Sequence, residues 1–151
     1  MPFTFSKNSE KELFGVDTRL VRAVHRALEI STVDFAVHDG IRTSEEQKKL
    51  VAAGASKTMK SKHLDGRAVD LVPVINGKLR WEWPAIYPIA MAMKQAAEEQ
   101  GLSLTWGGVW SRRLEDLSDL EKDVAAYVEE RKALGLSAFL DGPHFEIPEG
   151  V

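Results

Sequence analysis

The chain has 151 residues, 44% of them apolar, the size and composition of one domain around one core, so residues 1–151 are expected to form a single unit. A net charge of -3 with both signs interspersed supplies no broad basic field, which argues against nucleic acid and anionic membrane as partners. There is no cysteine, which removes disulfides, thiolate metal sites and a cysteine nucleophile, and leaves His, Asp and Glu as the strong ligands available.

The opening "MPFTFSKNSEKELFGV" lacks an apolar stretch of signal-peptide length, and no later run of about 18 apolar residues could span a bilayer. A chain made and kept in the cytosol is therefore expected. The first helix should follow Asp17 or Thr18, because Leu20, Val21, Val24, Ala27 and Leu28 fall on one face at helical spacing. "VDFAVHDGIRT" reads as a strand with Phe35 and Val37 on one side, closing at Gly40. "RTSEEQKKLVAAG" follows as a helix, with Thr43 and Glu46 or Ser44 and Gln47 as a capping box and Gly54 as its end. The polar stretch "SKTMKSKHLDG" is a loop that delivers His63.

"RAVDLVPVINGKLRW" predicts a strand, an Asn76-Gly77 turn and a short return strand, with Asp70 inside the first. A further helix from Pro84 or Pro88 to Gln100 turns Ile86, Ile89, Ala90, Met93 and Ala97 toward the core, with Gly101 at its end. "LSLTWGGVW" reads as a strand running into a glycine turn. Ser118 with Glu121 opens another helix, whose Leu117, Leu120, Val124 and Val128 share a face and which Gly135 closes. "DGPHFEI" predicts a turn at Gly142-Pro143 and a last strand with His144 and Glu146 facing opposite to Phe145 and Ile147. Helices and strands do not alternate regularly, so the fold class is α+β, a small and mainly antiparallel sheet flanked by helices.

Asp70 poses the chemical question. A bare carboxylate among Ala68, Val69, Leu71 and Val72 is costly unless something neutralises it. His63 stands seven positions earlier, about 23 Å away if the chain were extended at roughly 3.3 Å per residue, so the two meet only if the chain turns, which Gly66 permits. "DGPHFE" supplies His144 as a third ligand. Two imidazoles, one carboxylate and a water form the open tetrahedral site that hydrolytic zinc uses, so His63, Asp70 and His144 are the candidate zinc ligands. Asp141, separated from His144 by the Gly-Pro pair, is the candidate base that takes a proton from the attacking water. No helical H-E-x-x-H motif is present.

Taken together, Ser61, His63, Gly66, Ala68, Asp70, Asp141 and His144 match the pattern Ser-x-His-x-x-Gly-x-Ala-x-Asp followed by acidic-x-x-His. The sequence thereby resembles the zinc peptidases of bacterial cell walls, a family with a LAS/hedgehog-like fold that includes D-Ala-D-Ala carboxypeptidases, dipeptidases and the L-alanyl-D-glutamate endopeptidases of phage endolysins. "GIRT" with Arg42 and Gln47, the "NGK" turn, "WGG" at Trp106 to Gly108 and the opening "FSKNSEKEL" resemble the phage branch. An Asp at the base position points to the endopeptidases, and the charged segment between Trp110 and Leu140 departs from that branch. The resemblance implies a catalytic role for Arg42, whose permanent charge can steady an oxyanion or a substrate carboxylate. It also implies substrate-binding roles for Ser61, Gln47 and Trp106.

The expected function is zinc-dependent cleavage of the L-alanyl-D-glutamate bond in peptidoglycan stem peptides by a monomeric phage lysis enzyme. It would wait in the host cytosol for a holin-type, membrane-permeabilising partner before reaching the periplasm and wall. The alternatives are a D-Ala-D-Ala carboxypeptidase of the same fold and a non-catalytic, zinc-containing wall-binding module. His25 and His38 read as structural, Trp106 and Trp110 as core or cleft wall, and "LEDLSDLEKD" as a solvated helix start that lacks the glycine-punctuated loop of a calcium site. Lys57, Lys60 and Lys62 read as a solvated loop face.

Overall fold

The computed structural model describes residues 3–40, 49, 51–53 and 65–151. Arg42, Gln47, Ser61 and His63, the capping residues before Lys49, the lysines at 57, 60 and 62, and Gly54 lie outside the described residues.

A short helix not anticipated from the sequence, α1 (Lys7–Glu12), is capped by the Ser6 hydroxyl, which accepts from the Ser9 amide. Helix α2 (Thr18–Ile30) begins where expected. Asp17 caps it by accepting from the Arg19 backbone amide at 2.9 Å, and Leu20, Ala23, Val24, Ala27 and Leu28 are buried. Strand β1 (Phe35–Asp39) buries Phe35 and Val37. Lys49, Val51 and Ala52 are helical, in keeping with the helix expected there.

Strand β2 (Ala68–Ile75) and the short β3 (Lys78–Leu79) form the hairpin expected around Asn76-Gly77. Helix α3 (Trp83–Gln100) starts with Pro84 in its first turn, carries Pro88 inside it, and buries Ile86, Ile89, Ala90, Met93 and Ala97. Strands β4 (Thr105–Gly107) and β5 (Val109–Arg113) form a second hairpin; a strand over 109–113 was not anticipated. A single 3-10 turn at Leu114–Asp116 leads to helix α4 (Leu120–Ala133).

Two local expectations need correction. Helix α4 is capped by Asp119 and not Ser118: the Asp119 carboxylate accepts from the Lys122 amide, while Asp123 reaches back to the amides of Ser118 and Asp119. Its buried face uses Tyr127 where Val128 was expected. Gly142-Pro143 is not a turn but part of strand β6 (Asp141–Glu146). The Trp106 indole donates to the Gly142 carbonyl at 2.7 Å and Gly107 pairs with Asp141, so neighbouring groups hold this segment extended.

The strands run in the order β1-β2-β6-β4-β5, every pair antiparallel, with β3 beside β2. Val69, Leu71, Trp106, Phe145 and Ile147 join the buried faces of α2 and α3 in one core, where Trp106 stacks on Phe145 at a centroid distance of 6.5 Å. Period-2 alternation then sends Asp70, His144 and Glu146 away from that core. No helix among the described residues is long and apolar enough to cross a membrane.

Asp34, just before β1, has an oxygen that is buried without a hydrogen-bond partner among the described residues. Burial raises its pKa, against an opposing hydrogen bond from the Phe35 amide. The folded state therefore binds this proton more tightly than the unfolded state does. Stability falls as pH rises from the ordinary value of 3.8 through the raised one. Asp34→Asn is expected to raise stability at pH 7 and to leave it nearly unchanged well below pH 3.8, as measured by urea denaturation at the two pH values.

Candidate metal centre

The centre is built on the pairing of the two middle strands. The register of β2 against β6 sets Ala68 opposite Glu146, Val69 opposite Phe145 and Asp70 opposite His144. Residues directly opposed on one face of an antiparallel pair have adjacent side chains. The His144 Nδ1 lies 3.3 Å from an Asp70 carboxylate oxygen. The other ring nitrogen, Nε2, lies 2.8 Å from Glu146 Oε1, two residues along the same strand and hence on the same face.

Asp141 joins them by an irregularity. Three residues after Asp141, His144 would face the opposite side of a regular strand. Between the pairs Trp106–Phe145 and Gly107–Asp141, however, β4 advances one residue while β6 advances four. Such a bulge re-aims side chains, and here ligand atoms of Asp70, Asp141 and His144 come within 4.8 Å of one another. Asp141 is thus delivered by a bulged strand and not by the Gly-Pro turn expected from the sequence. Gly107 makes the close approach possible, because a Cβ there would stand 2.0 Å from the Asp141 carbonyl oxygen. Gly107→Ala is expected to displace Asp141, to lower stability by about 1–3 kcal/mol and to reduce activity in parallel. The urea midpoint and the cleavage rate of one preparation check this.

The electrostatics favour a cation. Burial of His144, which is 6% exposed, opposes protonation most strongly, but hydrogen bonds to Asp70 and Glu146, with the charge of Asp141, outweigh it and push the pKa up to about 9. A pocket that holds an imidazolium among three carboxylates has an excess of negative charge to offer a metal ion. The donor set is also suitable: one imidazole and two carboxylates with clustered ligand atoms fit a divalent cation such as zinc.

Other residues fall in different places. Trp106 is fully buried in the core, as its reading as a core residue allowed and against the substrate-binding role that the resemblance implied; its indole donates to the Gly142 carbonyl and it presents no surface to a ligand. Trp110 instead reaches the centre, its ring centroid 5.2 Å from that of His144 and its indole N–H donating to the Phe139 carbonyl at 2.7 Å. It also borders one hollow lined by Ser111, Arg112, Arg113 and Asp116 and another lined by Tyr127, Glu130, Arg131 and Leu134. His38 lies on the exposed side of β1 with its ring edge-on to Trp81 at 5.3 Å, and His25 sits half-exposed beside Glu10. Gly66, read as a turn residue, has φ +68°, and a Cβ there would meet the Gly15 carbonyl oxygen at 2.4 Å. Glu146 was legible only as a residue on the His144 face; the two-residue spacing on a strand was the available signal.

Comparison with known proteins agrees with this geometry. The family model described as phage L-alanyl-D-glutamate peptidase matches residues 1–147. The L-alanyl-D-glutamate peptidase of Escherichia phage T5 is 41% identical over 115 residues, covering 74% of this chain and 84% of that protein. The crystal structure of the Serratia marcescens L-Ala D-Glu endopeptidase ChiX superimposes with a TM-score of 0.73 at 34% identity, covering 96% of this chain and 90% of that one. With its antiparallel α+β fold and its Asp70–Asp141–His144 cluster, the chain belongs to the phage L-alanyl-D-glutamate peptidase family.

Proposed function

We propose that this chain hydrolyses the amide between L-alanine and D-glutamate in peptidoglycan stem peptides, as a phage enzyme of host lysis, with zinc held by His63, Asp70 and His144. The observation that carries the reading is the opposition of Asp70 and His144 across β2 and β6 with Asp141 beside them, in a chain of this family. His63 enters from its place in the sequence pattern, and Arg42, Ser61 and Gln47 enter on the substrate side from the family resemblance. Zinc, when bound, supplies a Lewis acid for the scissile carbonyl and acidifies the attacking water.

The chain's own groups do the rest. Asp141 accepts the proton of the attacking water as oxygen bonds to the L-alanyl carbonyl carbon, then passes it to the D-glutamyl nitrogen as the C–N bond breaks. Arg42 steadies the oxyanion or a substrate carboxylate. Trp110 packs against the His144 ring. The 1–151 unit works as a monomer, held in the host cytosol until a holin-type partner opens its route to the wall.

Digestion of a defined muropeptide tests the bond. A fragment with a newly exposed D-glutamyl amine, leaving L-alanine on the glycan, is expected. Release of free D-alanine alone would place the activity with the carboxypeptidases.

A further inference from the structure

We infer that Glu146 is a positioning residue that keeps the proton of His144 on Nε2 and so makes Nδ1 the metal-facing nitrogen. The inference rests on reading His144 as a metal ligand. A neutral imidazole has one N–H donor and one lone pair, and which nitrogen carries which is set by the hydrogen bond the other makes. Here the two nitrogens face different partners. Nδ1 faces the cluster, 3.3 Å from Asp70, while Nε2 lies 2.8 Å from Glu146 Oε1 on the side away from Asp70.

Glu146 is well placed for this task. Its backbone is paired on both sides, with Ala68 of β2 and Thr105 of β4, and its side chain is 16% exposed. Its carboxylate is only an acceptor when ionised, so the hydrogen bond it makes with Nε2 holds a proton there, and when a metal ion takes the place of the Nδ1 proton that faces Asp70 it is Nδ1 whose lone pair becomes available. With the N–H on Nδ1 instead, the ring would turn a proton toward the ion. The Trp110 ring packs against the His144 ring, centroid to centroid 5.2 Å. A carboxylate accepting from a ligating histidine also raises the ring's basicity and orients it, and losing such a partner weakens metal affinity about 10- to 100-fold.

The test uses the full chain and zinc itself, comparing wild type with Glu146→Ala and Glu146→Gln. Zinc affinity is read by chelator competition, and the His144 tautomer by side-chain nitrogen chemical shifts of the zinc-loaded protein. The wild type is expected to show an N–H at Nε2 and zinc on Nδ1. Glu146→Ala should lose about 10- to 100-fold in zinc affinity, and Glu146→Gln, whose amide oxygen still accepts from Nε2, should recover most of that loss. A Glu146→Ala protein that binds zinc as tightly as wild type, or a Gln variant no better than the Ala variant, would overturn the assignment. The wild-type spectrum decides independently of how the variants fold: a proton on Nδ1 overturns the inference while leaving zinc binding intact. His144 shifts that zinc does not move at all would instead overturn the metal reading beneath it.

Discussion

Asp141→Asn is expected to lower kcat for stem-peptide cleavage by about 10²- to 10⁴-fold, the usual contribution of a positioned acid–base group, while zinc affinity stays within a few-fold of wild type. The second half of that statement carries the argument. Asp141 lies in the same cluster as Asp70 and His144, so geometry by itself allows it to be a ligand or a base. A catalytic zinc site takes three protein ligands and keeps its fourth position open. If His63 supplies the third ligand, Asp141 is left to move the proton. Asparagine keeps the shape and removes the basicity. Chelator competition and steady-state kinetics on one preparation separate the outcomes: zinc retained and turnover lost identifies the base, zinc lost with turnover makes Asp141 a ligand, and undiminished turnover removes it from the chemistry.

Asp70→Ala is expected to abolish both zinc binding and cleavage. Asp70 sits in a strand whose neighbours are core residues, and its carboxylate is paired with a buried ring. Losing it takes away a ligand and leaves His144 without its cross-strand partner. In the metal-free protein this costs on the order of 1–3 kcal/mol. The ring can escape part of the penalty by releasing its proton. A ligand that binds only the folded state raises the melting temperature in proportion to its occupancy. Adding zinc should therefore raise the melting temperature of wild type and leave that of Asp70→Ala unchanged. A variant that zinc stabilises as much as wild type would mean that the ion sits elsewhere.

Much of this fold was legible because local signals and tertiary structure agree. Helices α2 and α3 show their buried faces as 3.6-residue periodicity with Asp17 before one and Pro84 at the start of the other, and both appear at those positions. The β2–β3 hairpin follows from an Asn-Gly pair between two extended runs. Helix α1 escaped notice because six residues are too few for a periodicity to register. Strand β5 reads "VWSRR", with no alternation, and is a strand because β4 supplies a partner.

The same distinction holds at the centre. The sequence pattern grouped Asp70 with His63 and His144 as ligands of one metal, and the oddity of a carboxylate in an apolar run was a genuine physical signal. Their direct opposition is a matter of strand register, which is a relation between distant segments. The Gly142-Pro143 pair looked like a turn because those residues favour one locally, but the Trp106 indole and the Gly107 backbone hold it extended. The bulge that results aims Asp141 at the cluster. Nor does composition distinguish two tryptophans four positions apart: Trp106 is spent in the core, while Trp110 packs on His144.

The most direct measurement is anomalous scattering from crystals of the zinc-loaded protein, with data collected on both sides of the zinc absorption edge. A single strong peak in contact with the Asp70 carboxylate and His144 Nδ1, with Asp141 adjacent but uncoordinated, is the predicted result. A protein that cleaves stem peptides with no peak at the Asp70–His144 pair, or with zinc bound on other residues, would contradict the assignment of this strand pair as the metal centre of the peptidase.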